Sequence, residues 1–241
     1  VSTQSRFSGF AAATVAACLV SAGPASAQEE WDLSFAPYLW AVGIDGDATV
    51  GPATVGIEVN FSDILHVFDG ALLGHFEARK GDSGLFGDFI YLATERDGEA
   101  DPFAVDVELD TLIVEAGYLH GRDSGGGLTG WEAGVRYWDF ETTLTFQVLP
   151  TFNGSESWTD GFIGYRRERP MGENWRSVVR GNIGAGGSDL TWGLDLTYLY
   201  DYDNGNSFAV GLKWLDIDFE KENNFGIDAH FFGATIGYNF D

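Results

Sequence analysis

The chain has 241 residues, enough for one domain of ordinary size or two small ones, and carries a formal net charge of −24. That charge repels phosphates and excludes nucleic acid as a partner. Gly (33), Phe (19) and Trp (8) are abundant and Pro (6) is scarce, which suits many strands joined by tight turns and anchored by large aromatics.

Residues 1–27 stand apart. Arg6 is their only charge, Phe10 to Val20 is apolar and Ala-rich, and Ala25-Ser26-Ala27 is a small-x-small cleavage site followed by Gln28-Glu29-Glu30. This is the anatomy of a secretory signal peptide, leaving residues 28–241 as one mature domain. Cys18 is the single cysteine. Val15-Ala16-Ala17-Cys18 resembles a bacterial lipoprotein processing box, but the apolar run continues past it towards Ala27. Cleavage at Ala27 leaves a chain without a thiol or disulfide.

From Trp31 onward nearly every segment alternates. Trp31, Leu33, Phe35, Pro37 and Leu39 alternate with Asp32, Ser34, Ala36, Tyr38 and Trp40. Pro37 marks an edge-like or special start. After a candidate short helix at 62–68, with Ser62 as N-cap, Leu72, Gly74, Phe76 and Ala78 alternate with His75, Glu77 and Arg79. GDSG turns the chain into LFGDFIYLAT, where Asp88 is the one charge. Leu112, Val114, Ala116 and Tyr118 oppose Thr111, Glu115 and Gly117. Trp131, Ala133, Val135 and Tyr137 oppose Glu132, Gly134 and Arg136. In WRSVVRGNIGAG, Arg176, Arg180 and Asn182 oppose Val179, Ile183 and Ala185.

The stretch 190–214 is the clearest. Leu190, Trp192, Leu194, Leu196, Tyr198, Tyr200 and Tyr202 share one face, and Asp195 lies on the other. Asn204-Gly205 predicts a two-residue hairpin turn, after which Phe208, Val210, Leu212 and Trp214 alternate with Ala209, Gly211 and Lys213. In the last strand Phe232, Ala234, Ile236, Tyr238 and Phe240 share a face.

The pattern gives about ten strands, with eight to twelve compatible, of roughly nine to fourteen residues each. GDSG, GRDSGGG, MGEN and NGN are short turns, and they alternate with longer connections such as ERDGEADPF and ETTLTFQVLPTFNGSES. Short turns at one end, long loops at the other and aromatics at strand ends predict an all-β, antiparallel up-and-down transmembrane β-barrel. A hairpin at 48–59 in the first loop would raise the strand number to twelve. The rival is a soluble, lipocalin-like β-protein, which needs a larger set of inward apolar residues.

The ending FGATIGYNF resembles the C-terminal assembly signal of bacterial outer-membrane barrels, with Phe232, Ile236, Tyr238 and Phe240 at the alternating positions, although Asp241 follows the aromatic. APYLWAVGIDG, FSDIL, GHFEARKG, LFGDFIYL and AGVRYWDF are similar to stretches of a family of small proteobacterial outer-membrane barrels, mostly uncharacterised and broadly OmpA-like or OmpW-like. The resemblance implies a Gram-negative outer-membrane location, contact with outer-membrane lipid and lipopolysaccharide, and handling by the barrel assembly machinery.

The polar face carries Glu77, Arg79, Asp88, Glu115, Glu132, Arg136, Arg176, Arg180, Asp195 and Lys213. These charges either pair across strands and plug the lumen or line a narrow ion-selective path. The mixed signs and the small bore of ten strands favour the plug. No enzyme is expected: of His66, His75, His120 and His230, His75 comes nearest to a catalytic pair by sharing a face with Glu77, and Ser83 lies on a turn. Asp201-x-Asp203-x-Gly205 resembles the start of a calcium loop, but Leu212 stands where the closing Glu belongs, so no metal or other cofactor is expected. The expectation is a monomer with a passive structural or narrow porin-like role. The alternatives are an outer-membrane enzyme acting on lipid or peptide, and a binding or adhesion barrel using Pro102-Phe103 or Val148-Leu149-Pro150 in its loops.

Overall fold

The computed structural model describes residues 30–51, 53–59, 70–100, 103–146, 151–221 and 225–241. The signal segment, the candidate helix at 62–68 and the loop residues 148–150 lie outside them. The elements are β1 (Asp32–Val50), β2 (Ala53–Val59), β3 (Gly70–Lys80), β4 (Ser83–Ala100), β5 (Phe103–Asp123), β6 (Leu128–Phe146), β7 (Phe152–Pro170), β8 (Trp175–Gly186), β9 (Leu190–Asp201), β10 (Ser207–Lys221) and β11 (Phe225–Asn239).

Ten of these strands form a closed antiparallel ring. Sequence neighbours pair from β3 to β11, and β1 joins β3 to β11. The seam runs from Tyr38 opposite Gly237 to Val50 opposite Phe225. β1 changes partner along its other edge: Asp32 to Pro37 pair with β3, and Ile44 to Val50 pair with β2. The hairpin of the first loop therefore exists, but β2 continues the wall beside β1 rather than adding two strands to the ring. Closure pairs the backbone groups within the sheet, as hydrocarbon demands.

Outward residues form an apolar band. Leu39, Leu72, Leu85, Val135, Ile163, Ile183 and Ile236 are all exposed on this wall. At the short-turn end it is bounded by exposed Trp31, Tyr118, Trp131, Tyr165, Trp175 and Tyr202. At the other edge stand Tyr137, Trp192 and the stacked pair Trp214–Phe232, with ring centroids 4.7 Å apart. Rings with one apolar and one polar side settle at bilayer interfaces, so two such girdles mark where the hydrocarbon ends. Of the residues matching an assembly signal, Phe232, Ile236 and Tyr238 lie on this outward face of β11, and exposed Phe240 follows its end, bridged to Phe35.

Two local expectations change. The hairpin joining β9 to β10 is a five-residue loop over 202–206. The Tyr202 amide donates to the Asn206 carbonyl at 2.9 Å, and Gly205 sits at φ 90°, a conformation open to glycine. The longer connections are largely strand. β4 to β7 run 18–21 residues, because the ladder continues through Glu95 opposite Glu108 and Thr142 opposite Gly154.

Candidate functional site

The lumen has two layers. Towards the long-hairpin end it is filled by apolar side chains, among them Trp40, Ile113, Trp138, Phe140, Ile217 and Phe231, each at most 2% exposed. Their aromatic part is a stack: Trp158 lies on Phe219 at 3.7 Å between centroids, with Phe140 and Trp138 continuing it. Asp160, fully buried beside this layer, is satisfied by neutral donors: Trp138 Nε1 at 2.8 Å, the Ser188 amide at 2.8 Å and Ser188 Oγ at 2.7 Å. The sequence reading expected a charged interior throughout, and the apolar layer corrects it. Strands such as β4 are apolar on both faces: Ile90 and Leu92 point into this layer while Leu85 and Phe89 point out, and Phe86, nearer the short turn, packs with Leu119 and Phe162 in a smaller separate cluster.

Below this layer lies an ionic one. Arg136 is fully buried and donates from Nε to Glu115 at 2.7 Å, and from its two terminal nitrogens to Thr191 at 2.8 Å and Asn182 at 2.7 Å. Its guanidinium also faces the rings of Trp138 and Phe162 at 5.5 and 5.2 Å. Arg180 donates to the other oxygen of Glu115 at 2.8 Å and to Glu132, and lies 3.6 Å from Asp195. Lys213 donates to Asp195 at 3.0 Å beneath the Trp40 ring. The six charged residues, Glu115, Glu132, Arg136, Arg180, Asp195 and Lys213, all came from the predicted set, and the barrel brings them together.

A second cluster holds Glu77 and Arg79 with two residues the sequence reading missed. Arg166 donates to Glu77 at 2.8 Å and reaches Glu168 at 2.9 Å, while Arg79 bonds both Glu77 and Glu168. In the run Arg166-Arg167-Glu168-Arg169 the alternation was hidden by charge on both faces: Arg166 and Glu168 are buried, Arg167 and Arg169 exposed. His75 links this cluster to Asp88. Its Nδ1 lies 3.2 Å from Asp88 and its Nε2 3.4 Å from Glu77, and Tyr38 donates to Asp88 at 2.7 Å. Arg176 stands apart near the short-turn rim, donating to Asp201 at 3.0 Å and Ser207 at 3.3 Å.

The ionic layer is the floor of a chamber of about 550 Å³ lined by Tyr38, Glu77, Arg79, Asp195 and Lys213, with Asp32 and Asp241 also on its wall. No group of three or more His, Cys, Asp or Glu suited to a metal ion occurs among the described residues. Among hydroxyl–imidazole contacts, Ser83 Oγ lies 3.1 Å from His120 Nδ1, outside the lumen on the exposed wall. On the same wall His230 pairs with Asp216.

No family model matches the chain, and no curated protein matches it. Solved outer-membrane barrels are similar in fold. The outer membrane protease OmpT from Escherichia coli superposes with a TM-score of 0.53 at 11% identity, over 87% of this chain and 96% of that one. The translocator domain of the autotransporter NalP from Neisseria meningitidis gives a TM-score of 0.45 at 12% identity, over 87% and 88%. The CymD monoaromatic hydrocarbon channel gives 0.23 at 12% identity, over 88% of each chain. The fold is thus a transmembrane barrel of the outer-membrane type. The expectation that the chain is no enzyme is overturned by the first neighbour, a protease on a similar barrel, although a likeness at 11% identity speaks to the fold alone.

Proposed function

We propose that this protein is a plugged outer-membrane barrel whose role is structural, closed towards the long-hairpin side and open as a chamber towards the short-turn side. In barrels of this type the short turns face the periplasm. The observation that carries the reading is the apolar layer across the lumen, with Trp138, Phe140 and Ile217 at 0% exposure. A water-filled path needs a continuous polar lining, and packed aromatics offer none. The ionic layer beneath then holds opposite walls of the barrel together.

The rest of the reading follows from the sequence. Residues 1–27 serve export, and the last strand serves recognition by the assembly machinery. The barrel works as a monomer among lipid and lipopolysaccharide, and its kinship lies with the small OmpA-like and OmpW-like barrels. A narrow porin-like path is the second reading, and the chamber favours it by carrying water part of the way through.

Planar-bilayer recording of purified protein separates the two. The plugged reading expects no steady current from the wild type, and current from a Trp138→Ala/Phe140→Ala variant that still migrates as a folded barrel. A steady ohmic current from the wild type discards it in favour of the path.

A further inference from the structure

Charge on the outer wall is not evenly spread. Carboxylates crowd the long-hairpin end, where Asp45 and Asp216 both stand opposite His230, and Asp47 and Asp218 both stand opposite Asp228. The outward cations among the described residues are Lys80, Arg122, Arg167 and Arg169, and all four lie at the short-turn end of β3, β5 and β7. In a chain of net charge −24 this is a local reversal of sign.

The cations have a defined arrangement. Thr129 on β6 stands opposite Arg122 on one side and Arg167 on the other. The three residues therefore share one row of the outward face, and the two arginines are roughly 10 Å apart at their Cα atoms, two strand spacings. One row higher, towards the apolar band, stand His120, Trp131 and Tyr165. Arg122, Arg167 and Arg169 are exposed and make no ion pair among the described residues. Of the nearby acids, Asp82 and Glu173 lie on turns, Asp123 ends β5 with its carboxylate accepting from the Gly126 amide at 3.2 Å, and Glu168 points inward to Arg79 and Arg166.

We infer that the Arg122–Thr129–Arg167 row seats the phosphate of an acidic phospholipid in the leaflet on the short-turn side. Two guanidiniums flank a position above a hydroxyl, which matches a phosphodiester bearing net negative charge. The row sits directly beneath the aromatic girdle, so a lipid held there by its headgroup lays its acyl chains along Ala133, Val135 and Ile163. A soluble anion would gain nothing from that wall. Only the naming of the leaflet as periplasmic rests on the proposed outer-membrane role; the contact itself rests on the transmembrane barrel.

Native mass spectrometry of the folded protein, released from micelles containing equimolar phosphatidylglycerol and phosphatidylethanolamine, tests this. Each basic residue near a membrane surface contributes about a fivefold preference for anionic lipid. The wild type is expected to retain phosphatidylglycerol at least about tenfold over phosphatidylethanolamine. An R122Q/R167Q variant should fall to near parity, R122K/R167K should keep most of the preference, and D218N at the opposite end should keep all of it. Parity in the wild type, or undiminished preference in R122Q/R167Q, overturns the inference. Displacement of the lipid by an equal concentration of glycerol 3-phosphate overturns the lipid as occupant. Heat-modifiable mobility on gels confirms that each variant is folded, and none of these outcomes depends on whether the lumen conducts.

Discussion

Glu115 and Arg136 stand opposite one another on β5 and β6, joined by a 2.7 Å bond with neither side chain reaching solvent. The second oxygen of Glu115 is taken by Arg180, so the carboxylate is shared by guanidiniums from two strands that do not touch each other in the sheet. Replacing Arg136 by Met strands one oxygen of Glu115 together with the Asn182 and Thr191 acceptors. Breaking a buried pair from one side costs about 3–5 kcal/mol. Denaturant unfolding of the barrel in micelles should show a loss of that order. The double variant Glu115→Gln/Arg136→Met should recover part of it, because no uncompensated charge remains at that pair.

The apolar layer makes a separate claim on stability. Phe140 contacts both Trp138 and Trp158 in the stack. Phe140→Ala leaves a void there and should cost about 3–5 kcal/mol in the same unfolding measurement. Phe140→Leu, which keeps most of the volume, should cost well under half as much.

Closure of the ring depends on a close approach at its seam. A Cβ on Gly233 would lie 1.9 Å from the Ala41 carbonyl oxygen, a backbone atom that cannot step aside. Gly233→Ala must therefore push β1 from β11, and overpacking of this kind costs about 1–3 kcal/mol or more. The expected readout is a lower temperature for the heat-modifiable shift on gels, with β1–β11 amides exchanging faster than those of β5–β6.

Beyond the outer girdle, burial and the neighbouring carboxylates of Asp228, Asp189, Glu220 and Asp216 raise the pKa of Asp218. A folded-state pKa above the unfolded one means that the folded chain holds its proton longer. Ionisation of Asp218 then opposes folding: the penalty develops as pH rises through the ordinary aspartate range to the raised value, and is complete at neutrality. Asp218→Asn should accordingly raise the melting temperature slightly at pH 7. The gain should vanish below about pH 3, where the aspartate is protonated in both states, and shrink at high salt.

The outward wall was legible in the sequence because one solvent, hydrocarbon, imposes one rule on every strand. Leu190 to Tyr202 and Phe232 to Phe240 show it directly. The interior obeys two rules, ionic and apolar, which intermingle towards the short turns, and a period of two names the face without naming the rule that holds at each depth. Phe86 and Asp88 are adjacent inward positions on β4, yet Phe86 packs against Phe162 while Asp88 pairs with His75 and Tyr38. Which residues meet across the lumen depends on strand stagger, so Arg79 and Glu168, 89 positions apart, were beyond any reading of spacing. The projecting hairpins were hidden for another reason: ERDGEADPF carries loop-like residues, and only the ladder shows that Glu95 to Ala100 remain paired.

The first and last strands meet once more at the short-turn rim, where Phe35 and Phe240 exchange backbone hydrogen bonds of 3.0 and 2.9 Å. In the folded wall, a ring whose first and last strands already touch marks no strand as the beginning. Joining those ends by a brief linker and opening the chain in an exposed hairpin instead would yield a circular permutant with the same wall, differing only in the order in which its staves arrive.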